Sequence, residues 1–421
     1  METLRDYIEN IKRFSPEARL YLLVSMLQGI GWGVFQLFFN FYILSLGYQQ
    51  GFMGLLISLP SITALFVALG AGYISDLIGR KRAFLLGGVL SVAAQLLMLI
   101  VPTQPMLIFS AILRGIGMSI FSVTAAPFLM ENSTERERTH LFSFSSGIST
   151  MSSFLGNFLG GSLPALFAIL LEVDPTSSPA YAWSLALTSV LNLVALFPLA
   201  RLEVKQKIMA QSLLAPFKML WEHRNMMTRL LLPTLVLSLG AGMLIPFLNI
   251  FFRFRYALPD DTIGTLFGIG SLWMGLAILI GPVLANRWGK AKTVVITQAI
   301  SIPFLITLGF VNSLPLAVAA FWIRMALMNL SAPVYQTMVM EEADASSRGM
   351  AASLYSMIWN LGRAVSPSVS GPIQEVYGFD PVFISTILSY ILSVYLVYRW
   401  FVKRRYHAQT CSMGLQPELV E

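Results

Sequence analysis

The chain has 421 residues, of which 56% are hydrophobic and only 12% charged. A soluble domain carries about 25% charged residues, so this composition cannot cover an aqueous surface. The formal net charge of +7 would suit nucleic acid, but the basic residues sit in short islands between apolar runs, and that placement excludes it.

The opening segment, METLRDYIENIKRF, is polar and mixed in charge, so the first apolar run is expected to be a retained span rather than a signal peptide. Twelve runs follow, each about 20 residues or longer, enough to cross a hydrocarbon core of roughly 30 Å as helix. The first six cover residues 20–46, 52–74, 83–101, 106–130, 141–171 and 181–200. The second six cover 230–252, 263–285, 293–311, 316–340, 350–373 and 381–402. Residues 201–229 form a polar linker and 403–421 a polar tail. The pattern predicts an all-α membrane protein: a six-helix bundle over 1–200, a cytoplasmic linker, a second bundle over 230–402 and a cytoplasmic tail.

Lys and Arg set the orientation. With the N-terminus inside, 23 of the 28 basic residues fall on inner segments, and only Arg253 and Arg255 fall outside. Arg114, Arg324 and Arg363 complete the count inside spans. Both termini are therefore expected in the cytoplasm, with the protein in the plasma membrane. The single cysteine, Cys411, lies in the tail, which leaves no intrachain disulfide and no cysteine metal site. His140, His223 and His407 lie at span ends or in loops. No metal or cofactor is expected.

The two halves repeat at an offset of 210 residues. Asp76 falls on Asn286, Gly79 on Gly289, Arg80 on Lys290, Arg114 on Arg324, Glu131 on Glu341 and Arg138 on Arg348. Six matches without a gap indicate parallel, pseudo-symmetric repeats, a transporter architecture.

The loop GYISDLIGRKR, residues 72–82, resembles the signature loop of the major facilitator superfamily, G-x-x-x-D-x-x-G-R-[KR]. Gly72, Asp76, Gly79, Arg80 and Lys81 carry the match. The repeat copy, ANRWGKAK, has Asn286 in place of the acid. The resemblance covers essentially the whole chain, leans toward the twelve-helix small-molecule efflux branch and is silent on substrate. It implies two bundles rocking about a midplane site. Gly72 and Gly79 allow close approach and a tight turn. Asp76 can face a neighbouring helix N-terminus, and Arg80 can pair with Glu131. Together these are expected to latch the two halves while the cavity faces outward; the plainer reading of Arg80, Lys81 and Arg82 is a positive-inside anchor. The run GNFLGG, residues 156–161, is similar to the antiporter motif G-P-x-x-G-G, with Asn157 where proline stands. Small residues also serve helix packing in lipid, and the missing proline argues against the antiporter subtype.

An arginine at the centre of a spanning helix costs about 2.5–3.5 kcal/mol on insertion scales, so such residues normally face water. Arg114, Arg324 and Arg363 are expected either to line a cavity or to lock helix carbonyls. All 21 acids fall outside the span interiors. A cavity with arginines and no acids has positive potential and favours anionic or zwitterionic ligands. Gln28, Trp32, Gln36 and Asn40 recur every four residues and form one slanting stripe. Ser356, Asn360, Arg363 and Pro367 form another. Asn249 and Trp273 are weaker candidates.

These residues point to a secondary transporter of a small anionic or amphiphilic solute. Substrate contacts are expected from Arg363, Asn360, Gln28, Trp32, Gln36, Asn40, Arg114 and Arg324. The expected partners are the solute, the bilayer and a coupling ion, with the protein a monomer. A proton-coupled multidrug exporter is the alternative within that class, and a transporter-like sensor or complex subunit is the alternative outside it. An enzyme would need a nucleophile–base pair or metal cluster, and no span interior holds His, Cys, Asp or Glu.

Overall fold

A computed structural model of the chain describes residues 14–202, 224–342 and 348–403. Most of the linker (203–223), the tail from 404 on, Arg138's side chain and Arg348's side chain fall outside what is described, as do the burial of Gly72 and the side chain of Asp76.

The described residues are helical. The first half holds α1 (Pro16–Ser45), α2 (Gln50–Ile78), α3 (Arg80–Ile100), α4 (Gln104–Glu131), α5 (Glu135–Gly160), α6 (Leu163–Leu171) and α7 (Ser178–Ala200). The second half holds α8 (Arg224–Leu244), a 3-10 turn (Ile245–Phe247), α9 (Leu248–Tyr256), α10 (Asp260–Trp288), α11 (Lys290–Phe310), α12 (Leu314–Glu342), α13 (Arg348–Tyr377) and α14 (Asp380–Val397). With α5 and α6 counted as one broken span and α8 and α9 as another, these are the twelve expected spans. Ten helices are long and apolar enough to cross a membrane, and the α5–α6 pair, bent by 41°, makes an eleventh. The twelfth, α13, is diluted by Ser356, Asn360, Arg363, Ser366, Ser368 and Ser370.

Both breaks have local causes. Between α5 and α6 the sequence reads Gly160, Gly161, Ser162, followed by Pro164, which supplies no amide to the ladder. Pro246 sits inside the 3-10 turn that separates α8 from α9. The helix starts repeat as well. Gly79 caps α3 with φ 87° and Gly289 caps α11 with φ 85°, a region a Cβ would strain.

Contacts divide the protein into two compact units that do not follow the two halves. One contains the described parts of Met1–Gln211 with Ile245–Leu272 and Pro367–Val376; the other contains those of Ser212–Leu244, Trp273–Ser366 and Tyr377–Glu421. In the first unit, α1 packs on α5 and α7, and α4 on α2 and α3. Its core joins Tyr21, Phe84 and Phe128, with ring centroids 5.4–5.7 Å apart. In the second unit, α8 packs on α14 and α11 on α12. There the residues 210 further on, Leu231, Val294 and Met338, fill the same core positions with aliphatic side chains.

Two glycine contacts hold the second-half segments of the first unit. A Cβ on Gly264 would lie 2.6 Å from the Gly161 Cα and 2.8 Å from the Asn157 carbonyl oxygen. A Cβ on Gly54 would collide with the Pro367 carbonyl and crowd Gly371. The four glycines are repeat counterparts, since Gly54 plus 210 gives Gly264 and Gly161 plus 210 gives Gly371.

Candidate functional site

The first polar face lies on α1 and α4. Trp32 is the seventeenth of 30 residues in α1 and is 36% exposed. Gln36 is exposed and Gln28 half-buried, so three members of the stripe share an open face. Asn40 differs. It is buried and donates to the Pro246 carbonyl at 2.6 Å and to the Asn249 Oδ1 at 2.8 Å, while Asn249 donates to the Leu37 carbonyl at 2.8 Å. Its amide is thus spent on tying α1 to the 3-10 turn and α9.

Arg114 meets this face from α4. Its guanidinium lies 3.5 Å from the Phe35 ring centroid and 5.7 Å from that of Trp32. Trp32, Phe35 and Phe39 stack in series, with interplanar angles of 18° and 22°. Behind Arg114 is a cavity of about 20 Å³, lined in part by Phe39, Gln95 and Ser110.

The second face lies on α13. Arg363 is the sixteenth of its 30 residues, and no proline interrupts the helix before it. It is exposed and forms no hydrogen bond or ion pair with any described residue. Ser356 is exposed and Asn360 half-buried on the same stripe. Arg324 contrasts with both. It is 3% exposed and donates to the Tyr390 hydroxyl at 2.9 Å, with its guanidinium 5.6 Å from that ring. Trp273 is exposed.

The signature loop is a buried polar knot. Arg80 donates to Ser75 Oγ at 2.8 Å, Thr124 donates to the same oxygen at 3.0 Å, and Glu131 is 3.4 Å from Arg80 Nε. The Arg80–Glu131 pair joins α3 to α4, so this contact lies inside the first half. The repeat copy pairs Lys290 with Glu341 at the same 51-residue separation.

A fourth cluster lies at the end expected to face outward. Arg253 pairs with Asp260 and donates to the Tyr181 hydroxyl at 2.9 Å, and Tyr181 donates to Asp260 Oδ2 at 2.8 Å. The Arg253 guanidinium also lies 3.6 Å from the Phe41 ring centroid. The cluster unites α1, α7, α9 and α10.

The sequence profile of the Major Facilitator Superfamily matches residues 21–272 and again 230–412, nearly the full length of the chain. The chain belongs to the major facilitator superfamily. Among solved structures, it is similar to the nucleoside transporter NupG, with a TM-score of 0.73, 15% identity and coverage of 91% of this chain and 98% of that one. It is also similar to the human organic anion transporter MFSD10, with a TM-score of 0.63, 17% identity and coverage of 91% and 100%. Both likenesses are of fold. A galactose-proton symporter of Escherichia coli strain K12 is 34% identical over 76 residues, which is 18% of this chain and 16% of the symporter. The matched stretch therefore spans about a sixth of that relative's length.

This facilitator is a multi-pass membrane transporter. The Arg253–Asp260–Tyr181 cluster escaped the sequence reading because Arg253 and Asp260 look like ordinary loop charges. The available signal was the exception to the charge bias: two arginines stranded on the expected outer side, with an acid seven residues after the first. Tyr181, 72 residues before Arg253, gave no such signal.

Proposed function

We propose that this facilitator carries a small organic anion by alternating access, with Arg363 as a solute contact. The observation that carries the reading is Arg363 itself: an exposed arginine at the midpoint of a 30-residue helix, with no acid or hydroxyl on it among the described residues. An arginine held against lipid at that depth costs about 2.5–3.5 kcal/mol or more, so its exposed surface is a wet, cavity-facing one. Arg114 adds a second cation on α4. In the first half Trp32 and Gln36 lie on the face that Arg114 meets, and in the second Asn360 shares the stripe of Arg363. The half-buried acid Asp260 is already paired with Arg253, so its carboxylate is not offered to an organic cation. Alternating access also requires the Arg253–Asp260–Tyr181 cluster and the Asn40–Asn249 tie to open in each cycle. The plasma membrane is the expected site of action.

The test is ligand-induced thermal stabilisation of purified protein across matched organic anions and cations, followed by flux in proteoliposomes with and without a pH gradient. Anions should stabilise the wild type. Arg363→Lys keeps the charge but loses the planar fork that grips a carboxylate, and should weaken the response. Arg363→Gln should weaken it further. Stabilisation by cations alone would favour the multidrug exporter. An unchanged response in Arg363→Gln, with a lowered melting temperature, would assign the residue to helix packing.

A further inference from the structure

We propose that the solute is a planar aromatic anion, stacked on Trp32 with its acid group on Arg114. The proposal rests on the anion reading above and adds the shape of the anion. Three rings and one guanidinium already form a column of flat groups. Phe39 lies 5.0 Å from Phe35, Phe35 lies 6.4 Å from Trp32, and the planes are within 22° of parallel. Arg114 covers Phe35 at 3.5 Å, which holds its guanidinium beside the column. Trp32 is the end member. It sits at mid-helix, 36% exposed, between Gln28 and Gln36.

A flat ligand extends such a column by one ring. Offset stacking favours an aromatic face over a saturated one of equal area. The arginine beside it supplies a bidentate fork to a carboxylate and attraction to the ring face. Gln28 and Gln36 flank the open face by one turn on either side and offer amides to substituents at the ring edge.

An independent observation also points to a ligand. Ser110 is 3% exposed, and its Oγ has no hydrogen-bond partner among the described residues. It lines the cavity behind Arg114, whose volume of about 20 Å³ accepts one water or one carboxylate oxygen. A buried hydroxyl left without a partner is rare. A polar atom brought in beside Arg114, directly or through one water, satisfies it.

The test compares three probes on the purified full chain by calorimetry and thermal stabilisation: 2-naphthoate, its saturated counterpart decalin-2-carboxylate, and neutral 2-naphthamide. Naphthoate should bind about tenfold or more tighter than either of the others. Trp32→Leu should erase the preference for the aromatic acid, and Arg114→Lys should weaken naphthoate while keeping that preference. Trp32→Phe retains a π face and should keep part of the preference, which holds the test if the leucine variant does not fold. Equal binding of the two acids would overturn the aromatic proposal and leave the anion reading standing. Naphthamide binding as tightly as naphthoate, or no binding by either acid, would overturn both.

Discussion

Arg114 and Arg324 occupy the same position in the two repeats, yet their side chains end in different surroundings. Arg114 has Phe35 and Trp32 to lie against. The residues 210 further on are Ile245 and Gly242, so Arg324 meets no matching ring on α8. It turns to Tyr390 on α14 instead. α14 begins 202 residues after α7 (380 − 178), which makes Tyr390 the counterpart of Thr188. In the first half Gln95 already donates to Thr188, and the counterpart of Gln95 is Leu305. Sequence symmetry fixes where a charge enters the helix; its neighbours decide whether it lies against aromatic rings or is tied to a hydroxyl in the core.

The largest expected effect is on that buried side. Arg324→Ala leaves a cavity and strands the Tyr390 hydroxyl, so it should cost about 2–5 kcal/mol, the range for large-to-small changes in a core. A melting experiment on purified protein should show this, with the folded fraction still binding the anions that stabilise wild type. Reduced anion affinity at an unchanged melting temperature would erase the distinction between the two arginines. A smaller contrast is expected at the paired loops. Arg80→Ala removes a buried donor to Ser75 and Glu131 and should cost about 1–3 kcal/mol. Lys290→Ala breaks a largely exposed pair and should cost less than about 1 kcal/mol. The same melting measurement sharpens the comparison, and equal losses would show that burial does not separate the two copies.

Much of this was legible in the sequence. The 210-residue offset anticipated the Arg80–Glu131 and Lys290–Glu341 pairs, because both partners of each shift together. Run length and hydropathy gave the span count, and the charge bias isolated the arginines in the helices. Three features were hidden. The α5–α6 break lies inside the apolar run 141–171, where hydropathy is blind to a Gly-Gly-Ser step followed by proline. The last repeat drifts to an offset of 202 because α13 ends at Tyr377, four residues short of the position 210 beyond Leu171, and because only Gly378 and Phe379 join α13 to α14, where 172–177 join α6 to α7. The partners of Asn40, and Tyr181 as a partner of Arg253, come from elements 72 or more residues away, and neither periodicity nor offset relates them.

The two glycine contacts make the present packing dependent on four missing methyl groups. Each is a keyhole through which backbones approach more closely than any side chain allows. A single methyl at Gly54 or Gly264 acts as a wedge on this arrangement alone, and does nothing to a state in which those helices have separated. Overpacking typically costs about 1–3 kcal/mol, which corresponds to roughly five- to 150-fold in relative population. Gly54→Ala and Gly264→Ala should therefore raise the share of molecules in which a cysteine placed at Gln36 reacts with a reagent added from the expected outer side. Because one wedge sits on each repeat-related contact, the pair of variants also asks whether either contact can part while the other stays shut.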